Sequence, residues 1–593
     1  MKNRAFFPAV VLLLNILWIC GFLIVIINRT YPLLGHDYTY VTSRLLDTHL
    51  HYLVNGLSIQ WYTPSFGGGL PAYANPQQIQ FSLIQFLTFF LGPWTAINIA
   101  IIIYTSIGFI CFYLLSTKLL GMDWRASLLG SVFLTVTGFY IGRMITGQLG
   151  FMTFPLISTI IFILLSRKWS DLIAGVALAL IVSSLIYQDG FYMIVAFILS
   201  CAITLPILYI INPELIPLKA TGFRLLIAAC FILLISSSKL YAVYTFMRYF
   251  PREYIDQYSP NVFGPIGSLV AQMLGTMTLA PMLAITGTDP NSLPNMLTII
   301  SGSVYSLWET DNGISPVLIG VFFVSAINYL LSRKRFSFKT WTKNKFIALA
   351  IVMGFTWFTL EFILAKGILF PLVQKLPIIK SLHINFRFIS ALFLPLSLLG
   401  TLILDKWFRA NINKKANFVF AALNILALLS PLSYYLYTQD VHRRIFDVTN
   451  VLQVYQLSRQ GETFPITHVA NTTDWNSFIE NATTIRPYEP IFGYFLEEFK
   501  PEIHVGEIFD ITDGYFNLTN PASLNFPDQN GGRLFSRFKE SERETVTRFT
   551  QRYQLDWRLP LMQTALNAIS LLSLFISLAI VIYGITRRNS NKL

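Results

Sequence analysis

Two separated stretches carry the side chains best suited to chemistry. The first opens Tyr31-Pro32-Leu33-Leu34-Gly35-His36-Asp37-Tyr38, with Asp37 about nine residues beyond a long apolar run that ends at Asn28. A carboxylate at that depth lies near the outer headgroup plane of a bilayer, where the reacting end of a lipid-borne substrate is presented. Asp37 there can act as general base on an acceptor hydroxyl. Its competing reading is a helix cap, because the residues from Tyr38 onward read as helical. The second stretch, Lys375-Leu376-Pro377-Ile378-Ile379-Lys380-Ser381-Leu382-His383-Ile384-Asn385-Phe386-Arg387-Phe388, gathers three cationic residues and a histidine without one acid. Such a set suits an anionic phosphate, with Arg387 offering a bidentate fork near the start of a helix and Lys380 and His383 beside it. Headgroup anchoring is the plainer use of the same charges.

Other polar residues fall where they can line the same site. The first loop continues through Trp61 and Gly67-Gly68-Gly69-Leu70-Pro71 to Asn75-Pro76-Gln77-Gln78. Glycines there permit positive φ and close backbone approach, prolines fix the flanks, and aromatic faces let a sugar stack. His36 and Tyr38 flank the acid. Arg143 and Gln148 sit in a short loop after an apolar run, Gln188-Asp189 forms a tight turn between two more, and Glu309 precedes Gly313-Ile314. Lys239 lies inside an apolar run, where an ammonium is costly and by default functional, snorkelling aside. His49 and His51 with Asp47 make a weak metal motif in what reads as a solvated loop, so no metal ligand is assigned. No phosphate-binding Gly-rich loop, nucleophile elbow or HExxH motif occurs.

The elements that must hold these residues follow from composition. Of 593 residues 54% are hydrophobic and only 12% charged, against roughly 25% charged in soluble domains, and mean hydropathy is +0.56. The 50 Phe, 28 Tyr and 11 Trp exclude a disordered chain. Apolar runs long enough to cross a ~30 Å hydrocarbon layer recur from end to end. The expected fold is an all-α polytopic membrane protein of about twelve spans, centred on 6–28, 94–116, 126–142, 149–166, 171–188, 190–212, 223–246, 315–332, 346–374, 387–404, 417–437 and 560–586. Phe81–Leu91 is too short to span and reads as interfacial or re-entrant. The first run lacks a small-x-small cleavage site and reads as an uncleaved anchor.

Charge sets the expected orientation. The clusters from Arg333 to Lys345, Asp405 to Lys415 and Arg587 to Lys592 all fall on one face with Lys2 and Arg4 under a twelve-span count, which makes that face, and both termini, cytoplasmic. Loops 29–80 and 247–314 and the segment 438–559 then share the external face. Asp440–Pro560 holds 17 acidic and 12 basic residues, whereas the rest holds 31 basic and 13 acidic, so the net charge of +13 is concentrated in short loops and helix ends. That distribution excludes nucleic-acid binding as its reason. The expected division is a membrane module over 1–437, a small α+β external domain over 438–559, and a last helix with its tail over 560–593. Three glycosylation sequons begin at Asn471, Asn481 and Asn517, and four cysteines in apolar runs offer no disulfide framework.

With these residues in order, the chain resembles the GT-C superfamily of integral-membrane glycosyltransferases, most closely its bacterial YfhO-like branch. The resemblance rests on His36-Asp37-Tyr38, Gly67-Gly68-Gly69-Leu70-Pro71 with Asn75-Pro76-Gln77, a Pro155-containing span after a short turn, Glu309 before Gly313-Ile314, and Leu376-Pro377 followed by Phe386-Arg387-Phe388. It implies an inverting enzyme of the cytoplasmic membrane, with its active site on the external face. Such an enzyme moves a sugar from a polyprenyl-phosphate donor, undecaprenyl in bacteria, to a glycan or lipid acceptor such as O-antigen or teichoic acid. Asp37 matches the family's catalytic acid and Arg387 a position suited to the donor phosphate, with Lys239 or Arg143 beside it. A separate donor-loading transferase and a flippase are implied partners. No DxD-type pair accompanies Asp37, so a divalent metal is not favoured and no cofactor is expected. Two other readings stand beside it. One is an oligosaccharide ligase with a pyrophosphoryl donor. The other is a lipid-glycan flippase or transporter, for which Glu361 and Lys366 are the only plausible mid-span ion site.

Overall fold

The computed structural model describes residues 2–35, 37–247, 311–332, 342–376, 384–411, 414–438, 444–484, 487–489, 543–555 and 559–590, together with 267, 269–270, 272–274, 277–278, 286–287, 309, 379, 382, 491 and 506–507. His36, Lys380 and His383, three of the expected site residues, lie outside this set, as do most of 247–314 and the sequon at Asn517.

Helices dominate the chain. Those of residues 2–247 are α1 (Lys2–Asn28), α2 (Tyr38–Asn55), α3 (Leu83–Leu87), α4 (Pro93–Leu114), α5 (Trp124–Thr135), α6 (Gly138–Thr146), α7 (Ile157–Leu165), α8 (Asp171–Ile186), α9 (Phe191–Ile211) and α10 (Leu218–Met247). Further long helices cover Pro316–Leu331, Lys343–Leu364, Ser390–Ala410, Lys414–Thr438 and Leu561–Ser590. Among the described residues eight helices are long and apolar enough to cross a membrane, or nine if the bent α5–α6 pair is one span. The protein is therefore an all-α polytopic membrane protein. Leu149–Leu165, Asp171–Ile186 and Pro316–Leu331 are apolar but shorter, and they occupy the remaining positions where spans were expected. The interfacial segment before Gly92 forms only the five-residue α3, started by the Ser82 side chain as its cap.

The bend between α5 and α6 has a local cause. The α5 pattern ends at Val136, and the Thr137 side chain accepts from Tyr140 N–H at 3.3 Å to start a new helix at an angle of 42°. Arg143 therefore sits on a buried helix instead of in the short loop that the sequence suggested, and the loop begins only after Thr146. Gly147 ends α6 with φ 90. A Cβ there would lie 2.5 Å from the Tyr38 nitrogen, so a glycine at this position is what lets the first external loop come close.

The strands among the described residues all belong to the loops. β1 (Leu33–Gly35) pairs antiparallel with β4 (Arg444–Asp447), Leu33 opposite Asp447. β2 (Tyr62–Thr63) pairs antiparallel with β3 (Leu70–Pro71). β5 (His468–Ala470) is central between parallel β6 (Ala482–Thr484) and antiparallel β7 (Gly506–Glu507). The 438–559 segment thus carries both strands and helices, Thr449–Arg459 and Arg543–Thr550 among them. It shares a sheet and a continuous apolar core with the first loop and the helices, through Phe446, Val448, Val451, Val454 and Phe478.

Candidate functional site

Asp37 is fixed by what precedes and follows it. Its N–H donates to the Thr146 carbonyl at 3.1 Å, and the next residue, Tyr38, is wholly buried with its hydroxyl donating to the Met144 carbonyl and its ring edge-on to Trp94 at 4.8 Å. The start of α2 is in this way bolted to the end of α6. Asp37 occupies the N-cap position but makes no capping hydrogen bond with its side chain. Its carboxylate instead accepts from the Tyr488 hydroxyl at 2.7 Å.

Behind it lies a buried charge cluster. The Glu309 carboxylate accepts from Arg387 Nε at 3.0 Å and from Arg387 Nη2, from Arg143 Nη2 at 3.3 Å, and from Gln148 Nε2 at 2.9 Å. Burial works to raise the Glu309 carboxyl, but Arg387, Arg143 and Gln148 hold it down at about 2. The same two guanidiniums also face further carboxylates, Asp311 at Arg143 and Asp37 at Arg387, so the group is a network of opposite charges. Arg387 is placed by the turn Asn385–Ile389, where the Asn385 amide donates to the Phe362 carbonyl at 2.8 Å and Phe388 packs edge-on to Phe362 at 4.7 Å. Its guanidinium lies over Phe151 and Tyr192, 5.3 and 5.1 Å from their ring centres, and interacts with the Asp37 charge. Three elements far apart in sequence thus converge on one spot beside Asp37.

Asp189 is the second acid of this neighbourhood. It is half-buried in the turn between α8 and α9 with φ 58, a conformation few non-glycine residues adopt, and Gln77 Nε2 donates to it at 3.4 Å. Burial pushes its carboxyl up to about 7, against the pull of Gln77, Arg387 and Lys239, and Asp37 adds to the rise. A carboxyl raised in the folded state contributes stability that is complete below its unfolded value near 3.9 and is lost as pH rises through about 7. Asp189→Asn imitates the protonated form. The variant is therefore expected to come closest to the parent in thermal stability in detergent at pH 4 and to exceed it increasingly as pH rises, by up to about 4 kcal/mol at pH 8 for a three-unit shift. Identical stability profiles at the two pH values would contradict the raised carboxyl.

Several expected lining residues do structural work. The Lys239 ammonium donates to the carbonyls of Tyr73 and Asn75, both at 2.7 Å, and of Gln78 at 3.4 Å, so it clamps the loop that follows the three glycines. Gly67, Gly68 and Gly69 have φ of 56, 65 and 121, as their type requires, and the turn they form docks on β6. Gly67 N–H reaches the Thr484 carbonyl at 2.8 Å and Gly68 N–H reaches Thr483 Oγ1 at 2.9 Å. Trp61 is buried edge-on to Tyr73 at 5.2 Å. Asn75 donates to Glu489 and to the Tyr40 hydroxyl, each at 3.1 Å.

The weak metal motif also has a different use. Asp47, His49 and His51 lie buried on α2 rather than in a solvated loop. Asp47 accepts from Arg552 Nη1 and Gln60 Nε2, each at 2.7 Å, and from Ser65. His49 packs on Tyr455 at 4.8 Å, and burial lowers it to about 4. Among the described residues no three His, Cys, Asp or Glu side chains gather closely enough to hold a metal ion. Glu361 lies near the end of the helix Lys343–Leu364, where it accepts from Trp357 Nε1 and from the N–H groups of Leu369 and Phe370. It thereby caps the following turn.

Sequence reasoning missed Tyr488 and Tyr192 at the site, and it missed the anchor behind Tyr488. Arg44, two turns along α2 from Asp37, pairs with Asp474 at 2.9 Å and Glu489 at 3.4 Å. The chain matches no protein-family model and no curated protein.

Proposed function

We propose that this chain is an inverting glycosyltransferase of the GT-C type, moving a sugar from a polyprenyl-phosphate donor to a hydroxyl of a glycan or lipid acceptor. The observation that carries this reading is the placement of Asp37. It is a carboxylate at the mouth of the helical module, not used as a helix cap, engaged by a hydroxyl at 2.7 Å, and coupled to the Arg387 guanidinium. In the proposed reaction Asp37 takes the proton of the acceptor hydroxyl, whose oxygen attacks C1 of the sugar. The C1–O bond to phosphate breaks on the opposite face, and polyprenyl phosphate leaves against the Arg387 guanidinium. Arg387 is the member of the buried charge cluster closest to solvent, with 15% of its side chain exposed against none for Arg143. Membranes containing the chain should transfer sugar with inversion from such a donor. No transfer from any polyprenyl-phosphate sugar would remove the reading.

The topology that goes with it has twelve spans, counting the bent α5–α6 pair as one and the three shorter apolar helices as crossing. Both termini and the loop after Ala410 are then cytoplasmic, and 438–559 is external. An impermeant thiol reagent added to intact cells should label a cysteine at exposed Glu462 and spare one at Ala410. Labelling at Ala410→Cys would overturn the count.

A further inference from the structure

The Tyr488 hydroxyl donates its proton to Asp37 Oδ1 at 2.7 Å, the same bond that an acceptor hydroxyl must make with its general base. The phenol keeps that proton at any working pH, because burial, with the Asp37 charge added, raises its titration well above the ordinary tyrosine value. It does not reach Asp37 by chance. Its N–H donates to Asp474 Oδ1 at 3.1 Å and its carbonyl accepts from Arg44 Nη2 at 3.3 Å. The adjoining Glu489 is held by Arg44 and Asn75. Those four partners are buried, whereas Tyr488 is 40% exposed. The backbone at Tyr488 is therefore anchored, and rotation about χ1 is the one movement that would uncover Asp37 without breaking these bonds.

We propose that Tyr488 is a stand-in for the acceptor: its hydroxyl fills the acceptor's place on Asp37, keeps water from the base, and is displaced when the acceptor binds. This rests on the glycosyltransferase reading. Without the stand-in, water can reach Asp37, give up its proton there and attack C1, releasing free sugar and polyprenyl phosphate. Tyr488 is thus a positioning residue that favours transfer over hydrolysis.

The test compares the full-length parent with Tyr488→Phe in detergent, and with Tyr488→Leu should the first variant fold poorly. Donors are polyprenyl-phosphate-linked glucose, galactose, mannose and arabinose, and glycerol is the surrogate acceptor. Phenylalanine keeps the edge-on contact with Tyr40 (6.4 Å) and removes only the hydroxyl. Donor hydrolysis should rise, and half-saturation by glycerol should fall by about tenfold, the worth of one hydrogen bond to a charged group. Unchanged hydrolysis and glycerol dependence in an active parent would overturn the stand-in and leave the enzyme reading intact. A lower kcat alone would make Tyr488 only an orienting partner of Asp37 and would overturn it too. No turnover of any donor by either protein would defeat the glycosyltransferase reading and the stand-in together.

Discussion

Asp37→Asn should fold, insert and bind donor lipid, yet lose on the order of 10²–10⁴ in sugar transfer, the usual worth of a positioned general base. The structure gives two reasons to expect a clean effect. The Asp37 side chain does not cap α2, so the helix does not lose its start, and the backbone bond to Thr146 is untouched by the change. Asparagine also keeps an oxygen for the Tyr488 hydroxyl, so the strap stays in place. What disappears is the capacity to take a proton. The measurement is transfer from a polyprenyl-phosphate sugar in membranes, read by the mass shift of the acceptor. Parent-level transfer would end the catalytic assignment and move weight to a transport role. Asp47, the next acid along α2, is no control. Its carboxylate neutralises buried Arg552, and Asp47→Asn should cost about 3–5 kcal/mol of stability by leaving that charge unpaired. Exposed Glu462→Gln is the appropriate parallel.

Much of the scaffold was legible because its signals are local. Apolar runs, the Gly92-Pro93 start of α4 and the helical pattern after Tyr38 each announce an element from neighbouring residues alone. The site was legible in part. Asp37, Arg143, Gln148, Arg387 and Glu309 were each singled out, but as separate lining or phosphate-binding groups. Nothing in a single sequence says that Arg387 and Glu309, 78 positions apart, share a bidentate pair. Lys239 looked functional because an intramembrane ammonium must have a partner. Its partners are backbone carbonyls, which leave no mark on residue type. The acids and histidines of α2 read as solvated because an amphipathic helix with polar residues facing inward has the same periodicity as one facing water. Tyr488 carried one available signal, the sequence Arg486-Pro487-Tyr488-Glu489-Pro490. Its two prolines favour an extended strap over a helix.

The pairing of Arg387 with Glu309 sharpens what its removal should do. In the parent, Arg387 is shared between Glu309 and the Asp37 charge, and its partly exposed guanidinium is the cation that an incoming phosphate can use. Arg387→Ala leaves Glu309 with its Arg143 and Gln148 partners, so the fold keeps an ion pair while the site loses its most exposed guanidinium. Donor use should fall by about 2–4 kcal/mol, the scale for losing one partner of a desolvated charge pair. Arg387→Lys should recover only part of this. An ammonium restores the charge, but it cannot reproduce the planar fork by which Nε and Nη2 hold both oxygens of Glu309, nor the contact with the faces of Phe151 and Tyr192. The two roles of Arg387 separate in one experiment. Transfer rates over a range of donor concentrations report the phosphate contact, and thermal stability in detergent reports the ion pair. Loss of transfer with stability within about 1 kcal/mol of the parent is the expected result, since the residual pair with Arg143 keeps Glu309 neutralised. Parent-level donor use by Arg387→Ala would show that the phosphate is held elsewhere. Equal losses of stability and transfer would show that Arg387 acts only by neutralising Glu309.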